Sequence, residues 1–340
     1  MSELQQREAP ADVVVEDGLC ALGRILRTVV RDAALFQFEH LPRLFGFVHW
    51  LIMRTPARRL AHAVLYLMGA SQLLRLIERH RPDVIVSTFS GVNPVLGRLR
   101  QRGRLDARVC TTVLDPASLG FWVHPGLDLH LVMHPESEPL VERLAGPAAV
   151  RAVRPLVAPV FYETHCQMAA RQALGLPVDG RVVLVTGGGC GIGDLEGAID
   201  CALRADATVV CVTGRNEEAR GRLENTFAGS GRVRILGFVE RMRELIAAAD
   251  VVVHSGGGMT SLETLVADRP SIVYRPPPGH WRTNATAMCA LGIAEMADTP
   301  SEFGDALARV LADERGASRP WPATATSDAV LAADASARRS

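Results

Sequence analysis

Lysine is absent from this chain, and all 37 basic residues are arginine. A Walker lysine, a Schiff-base lysine and a Ser-Lys catalytic pair are thereby excluded. Cysteine is sparse and unpatterned. Cys20, Cys110, Cys166, Cys190, Cys201, Cys211 and Cys289 form no C-x-x-C and mostly sit in apolar runs, so they read as reduced core thiols. There is no uninterrupted apolar run of about eighteen residues and no basic-then-apolar leader, so neither a membrane span nor a signal peptide is expected. The cytoplasm is the expected compartment. The 37 acids balance the arginines, which argues against a general nucleic-acid binder.

What remains is a chain of 340 residues with 48% hydrophobic content, enough for two domains of ordinary size. Its most informative stretch runs from Val251 to Asn284. A β-branched run, Val251-Val252-Val253, is followed by His254 and then breaks at Ser255-Gly256-Gly257-Gly258. Met259 to Val266 then follows with apolar positions at helical spacing. Glycines let a backbone approach a ligand closely, and a helix start presents N–H groups and a positive dipole end, so this turn suits phosphate. Glu263 comes about one turn after Thr260 and shares its face. Arg269-Pro270 stops the helix, Ser271 to Tyr274 reads as a strand, and Pro276-Pro277-Pro278-Gly279-His280-Trp281 forms a stiff loop at its end. An ordinary α/β turn would give the first part of this pattern without any ligand.

The order resembles the donor half of GT-B glycosyltransferases. In particular it resembles the group containing monogalactosyldiacylglycerol synthase, bacterial diacylglycerol glucosyltransferases and the N-acetylglucosaminyltransferase that makes lipid II. The resemblance implies an α/β fold of two Rossmann-like domains facing a cleft. It places the diphosphate of a nucleotide sugar on Ser255 to Thr260, the ribose on Glu263, and the hexose on Pro278, Gly279 and Asn284. His280 and Trp281 stand where that group usually has Gln and Glu, which leaves the sugar open.

Earlier in the chain, Ala11 to Asp17 reads as a short strand after a loose polar start. The first strand–Gly-loop–helix unit of the resembled group, with its histidine between donor and acceptor, has no counterpart here. Either the chain begins late relative to that group or it lacks this histidine. From Arg24 to Arg104 fourteen arginines face four acids, a local excess of ten positive charges. Within this segment Leu44 to Met53 is apolar nearly all round and is flanked by Arg43, Arg54, Arg58 and Arg59. Such a wedge can lie in an anionic membrane interface. A core helix with a solvated arginine face gives the same pattern.

Ser71 to Arg81 has amphipathic helical spacing, and the runs at Val84 and Arg108 read as parallel strands. Asp115 ends the second of these, where open α/β sheets place ligand-facing residues. With Phe121-Trp122-Val123-His124-Pro125-Gly126-Leu127-Asp128 this segment resembles the Thr-Asp…Phe-Trp-x-His-x-x-x-Asp pattern of the same group. That likeness implies that Asp115, Trp122, His124 and Asp128 line the acceptor side of the cleft. A turn-forming or capping role is the alternative for Asp115.

Pro155 and Pro159 stiffen a connector, giving expected domains of 1–157 and 158–315 and an Ala/Ser/Arg-rich tail at 316–340 that is expected to be partly disordered. Gly187 to Gly193 lies close to a dinucleotide fingerprint, but the next strand ends in Gly214-Arg215-Asn216 with no acid placed for a ribose. By resemblance Gly189 and Arg215 instead face the nucleotide, and Phe238 lies at the base.

Glycosyl transfer needs a clamp for the leaving diphosphate, contacts to sugar hydroxyls and a base for the acceptor hydroxyl. No Asp-x-Asp occurs, so helix N-termini, backbone amides and His254 are expected to take the leaving-group charge without a metal. The reading is an inverting hexosyltransferase using a UDP-sugar as substrate, with no cofactor and a lipid acceptor such as diacylglycerol. Asp115 is the first candidate base and His124 the second. The alternatives are a transferase acting on a soluble or natural-product acceptor, a nucleotide-sugar 2-epimerase, and a silent nucleotide-sugar-binding protein.

Overall fold

The computed structural model describes residues 12–23, 26, 28, 42–54, 57–117, 119–120, 122–146, 149–312 and 321–337. It divides into one unit of Met1–Leu156 with Trp321–Ser340 and a second of Val157–Pro320. Expectations for Met1 to Pro10, for Phe121, and for the side chains of Arg43 and Arg54 lie outside the described residues.

The first unit holds a parallel sheet in the order β1-β2-β3-β4, with β1 at Val84–Ser87, β2 at Arg108–Val113, β3 at Leu129–Val132 and β4 at Val150–Ala152. Registers such as Val86 with Cys110 and Thr111 with His130 place successive strands side by side. β3 is buried along its whole length, which a parallel strand requires when both faces of the sheet are covered. The helix Asn93–Gln101 starts with Pro94 in its first turn, where a missing N–H costs nothing. It packs with the helix Ala57–His80 through Tyr66, Ala70, Leu73, Val95, Leu96 and Leu99.

One expectation changes here. Residues 12–17 form no strand and take no place in either sheet, and Glu16 is held instead by His80 at 2.8 Å. Val14 and Val15 stay exposed, and Asp17 instead caps the one-turn helix Gly18–Ala21 through the N–H groups of Leu19 and Cys20. Within the tail, Thr326–Ala337 is a helix lying against β1, β2 and β3. Ala325, Ala329 and Val330 are buried there, and their small side chains permit close approach to the sheet. Finally, Ala57–His80 is long and apolar enough, by length and composition alone, to cross a membrane, although 22% of its most apolar window is buried within the protein. Polar interruptions at Ser71 and Gln72 hide this helix from a search for unbroken apolar runs.

The second unit carries a six-stranded parallel sheet in the order β10-β9-β8-β5-β6-β7. Its strands are β5 Val182–Thr186, β6 Thr208–Val212, β7 Val233–Leu236, β8 Val251–His254, β9 Ser271–Tyr274 and β10 Glu295–Ala297. β5, β8 and β9 are buried throughout, and separate apolar clusters fill the two faces. The chain winds outward from β5 through β6 to β7, then returns beside β5 at β8 and winds the other way to β10. The loops after β5 and β8 therefore diverge, which opens a crevice at the carboxyl ends of the two central strands.

Candidate donor site of the second unit

The turn after β8 is shaped by Gly256, at φ 91°, where a Cβ would stand 3.2 Å from the carbonyl oxygen of Trp281. Only glycine meets both conditions, and the chain then enters the helix Gly258–Val266 with Gly257 as a cap that supplies no side chain. A helix start left open in this way is suited to an anion. Ser261 turns inward and donates to the Gly257 carbonyl at 2.7 Å. Met259 is exposed, and Thr260 faces the loop after β5, its Oγ1 3.9 Å from the position of a Cβ on Gly188.

The loop after β6 packs tightly on the loop after β5. A Cβ on Gly214 would fall 2.4 Å from the Gly188 carbonyl oxygen, and the Arg215 N–H donates to the Gly189 carbonyl at 2.9 Å. The Arg215 guanidinium stacks 4.4 Å over the Phe238 ring, which is 54% exposed beyond the end of β7. Gly189, Arg215, Phe238 and Ser255 to Thr260 thus share the carboxyl edge of one sheet.

Glu263 is largely buried one turn into the helix, and its carboxyl has no hydrogen-bond partner among the described residues. Burial alone pushes its pKa up to about 7. A half-ionised carboxyl held without a partner beside an open helix start is poised to accept hydrogen bonds from a ligand.

His254 behaves differently from the expectation. It is 4% exposed, its Nδ1 accepts from the Gly256 N–H at 3.0 Å, and burial pulls its pKa down to about 4. The ring is neutral at pH 7 and supplies no charge to a leaving group. With Nδ1 accepting, the proton sits on Nε2, which has no partner and lies beside a small cavity bounded by Thr186, Gly193 and Tyr274. His254 holds the turn from beneath.

At the end of β9, Gly279 takes φ 87° and starts the helix His280–Ala290, again without a side-chain cap. The His280 and Trp281 rings lie 3.7 Å apart between centroids. Pro278 and Gly279 are partly exposed, whereas Asn284 is fully buried with neither amide atom hydrogen-bonded. Arg282 grips Asp298 through two bonds of 2.6 and 2.7 Å. A pair that sequence reasoning missed ties the loops after β5 and β9 together: Arg275 bonds Asp194 at 2.6 Å, and Asp194 also caps the helix Leu195–Arg204 through the Gly197 N–H. An aspartate immediately before an apolar-periodic segment was the available signal.

In the first unit, Asp115 lies at the carboxyl edge of the sheet with Trp122 against it. It accepts from Trp122 Nε1 at 3.1 Å. The connection then crosses down to the opposite edge, where β3 begins, and this separates Asp128 from Asp115. Trp122 is core, 9% exposed among Val113, Val132 and Val141. His124 Nδ1 accepts from the Gly126 N–H, and its ring stands where a Cβ on Gly97 would be. Burial, aided by Arg98, lowers its pKa to about 4. The neutral ring keeps its proton on Nε2 and offers no lone pair there, so it does not fit a base. Asp128 accepts two bonds from Arg100, at 3.1 and 2.6 Å, and one from the Val109 N–H at 2.8 Å, pinning the start of β2. It is structural. Sequence reasoning also missed Asn93, whose buried amide donates to Thr111 Oγ1 and the Trp122 carbonyl and fixes this edge.

A family model described as monogalactosyldiacylglycerol (MGDG) synthase matches residues 2–141, and one described as the glycosyltransferase family 28 C-terminal domain matches residues 182–336. Among curated proteins, the processive diacylglycerol beta-glucosyltransferase of Bacillus licheniformis is 27% identical over 256 residues, which cover 74% of this chain. The chain spans 66% of that relative's length. Among solved structures, MurG of Acinetobacter baumannii aligns with a TM-score of 0.52 at 14% identity, covering 82% of this chain and 74% of that one. A candidate UDP-N-acetylglucosamine 2-epimerase of Listeria monocytogenes aligns with a TM-score of 0.55 at 14% identity, covering 82% and 80%. These structures share the fold.

Proposed function

We propose that this chain, a GT-B protein resembling the monogalactosyldiacylglycerol synthase and diacylglycerol glucosyltransferase group, transfers a sugar from a UDP-sugar to the hydroxyl of a lipid such as diacylglycerol. The observation that carries the donor half is the pairing of an uncapped helix start at Gly257 with the half-buried Glu263, whose carboxyl has no partner among the described residues, at the switch point of the sheet. The open N–H groups take the diphosphate, and Glu263 accepts from the ribose hydroxyls. Arg215 and Phe238 stand at the sheet edge where a base would lie. Direct displacement with inversion is the mechanism proposed, with no cofactor and no metal. The leaving charge falls on the helix start, and Asp115 takes the acceptor proton.

A lipid acceptor is supported by the surface of the first unit. Phe47, Trp50 and Leu51 on the helix Pro42–Arg54 are exposed, as are Leu60, Val64 and Leu67 along one face of Ala57–His80. Leu67 is 78% exposed, while Tyr66 on the other side of the helix is buried. An apolar face of this kind flanked by Arg58 and Arg59 suits peripheral binding to an anionic membrane. The test is incubation with radiolabelled UDP-sugars and diacylglycerol in anionic vesicles, followed by lipid extraction. A glycolipid product supports the reading. Release of free sugar alone, or of an epimerised nucleotide sugar, overturns it.

A further inference from the structure

We propose that Arg275 is a positioning residue of the donor site, one that sets the width of the seat holding the Ser255-Gly256 turn and so the affinity for the nucleotide sugar. This deepens the donor reading above and rests on it.

The turn lies between two walls. On one side is the end of the loop after β5, where a Cβ on Gly193 would stand 3.0 Å from the Ser255 Cβ. On the other is the start of the helix His280–Ala290, whose Trp281 carbonyl oxygen lies 3.2 Å from the position of a Cβ on Gly256. Both approaches are close enough that a shift of either wall reaches the turn directly. The sheet alone fixes neither wall, because each stands beyond the last residue of its strand, Thr186 for β5 and Tyr274 for β9.

Arg275 joins the two. It is the first residue after β9, and its guanidinium donates at 2.6 Å to Asp194, the residue that follows Gly193. Asp194 is itself anchored, since its other carboxylate oxygen accepts from the Gly197 N–H at 2.9 Å and caps the helix Leu195–Arg204. The arginine is anchored on its own side by two bonds, its backbone N–H donating to the Ala297 carbonyl at 2.8 Å and its Nε to the Asp298 carbonyl at 3.0 Å. Arg282, in the first turn of the second wall, then grips the Asp298 carboxylate. A chain of contacts thus runs from wall to wall through Asp194, Arg275, Asp298 and Arg282.

Two further observations set this arginine apart from an ordinary surface ion pair. Its φ is 43°, in the left-handed region that residues with a side chain rarely adopt, and backbone strain of this kind collects where geometry serves a function. The pair is also not what holds strand to helix. Beneath it the Tyr274 hydroxyl meets Cys201 Sγ at 3.7 Å and the Tyr274 ring packs edge-on against Phe303, with all three side chains buried. The Arg275 and Asp194 side chains are 44% and 32% exposed, so their bond adds little to stability, and its loss loosens the seat while the core stays closed.

The test is calorimetric titration of the full chain with UDP and UDP-glucose, beside thermal denaturation, for Arg275→Met, Asp194→Asn and the double variant. Asparagine keeps an oxygen for the Gly197 N–H but loses the charge that draws Arg275. Each single variant is expected to bind UDP-glucose about five- to tenfold more weakly at an unchanged melting temperature, and the double no more weakly than either, because both changes remove one interaction. Arg275→Lys, which keeps a charge for Asp194, should recover most of the loss. Arg309→Met, which breaks an exposed pair with Glu295 at the start of β10, should bind as the wild type does. Wild-type affinity in both single variants, or losses that multiply in the double, overturns this inference alone. An affinity loss that comes with early melting marks Arg275 as a structural residue and overturns it as well. No binding of UDP to the wild type overturns the donor reading and this inference together.

Discussion

Glu263 offers the sharpest test of the donor site, because its burial has a consequence that can be followed with pH. With a pKa of about 7 in the free protein, the carboxyl is about one-tenth ionised at pH 6 and nine-tenths ionised at pH 8. If only the ionised form accepts from ribose hydroxyls, the affinity for UDP-glucose rises about tenfold, or ~1.4 kcal/mol, between these pH values. A sugar nucleotide has no phosphate group titrating in this window, so the slope reports the protein. Glu263→Gln should bind ~1.5–3 kcal/mol more weakly at pH 8, the usual worth of hydrogen bonds to a charged group, and should show no slope. Stability moves in the opposite sense. A carboxyl whose folded pKa is raised from 4.5 to about 7 binds more protons folded than unfolded, so its contribution to stability is lost as pH rises from 4.5 through 7. Glu263→Gln should therefore melt no earlier than the wild type at pH 8 while binding donor less well. Isothermal titration across pH 6–8 combined with thermal denaturation decides the matter. A folded variant with unchanged affinity, or a wild type with a flat profile, refutes the assignment.

Asp115→Asn should lower kcat roughly a hundredfold or more with donor affinity nearly constant, as for a general base. A variant that turns over normally but loses about 1 kcal/mol of stability would instead mark Asp115 as a turn residue holding Trp122. Gly256→Ala forces a side chain into φ 91° and against the Trp281 carbonyl, so donor affinity and melting temperature should fall together, by about 1–3 kcal/mol of strain. Equal affinity and stability in that variant would show that the turn is not held to this shape. Co-sedimentation with anionic vesicles should decline with rising salt and be lost in Leu60→Glu/Leu67→Glu, whereas pelleting unchanged by both would remove the membrane role of this face.

Much of the second unit was legible in the sequence, since β5, β6 and β8 are β-branched runs closed by glycine or a polar turn, whereas β10, Glu295-Met296-Ala297, has no β-branched residue and was missed. β8, the Ser255 to Gly258 turn and the helix carrying Glu263 fall where hydrophobic period and glycine placement put them. The α/β architecture of two parallel sheets follows from the same alternation. The acceptor-side residues were harder to read because spacing does not reveal height along a sheet. Asp115 and Asp128 stand thirteen positions apart in a single crossing, one at each edge of the strands. His254 failed as a charge for a related reason. A histidine after three valines is set by the strand's depth, and depth removes its proton. Pairing was equally invisible: residues 12–17 have strand composition but no place in either sheet, and the alanines after 325 have linker composition but a sheet to lie on.

That last helix also constrains how the protein is made. The first unit begins at the amino end, but its sheet is covered in part by Thr326–Ala337, which emerges only after the whole second unit has been synthesised. On a ribosome the second unit can complete its core from one continuous segment, whereas the first must wait with part of β1, β2 and β3 uncovered. Loss of the last twenty residues, by a premature stop or by proteolysis, would leave the second unit whole and strip the first of its final layer.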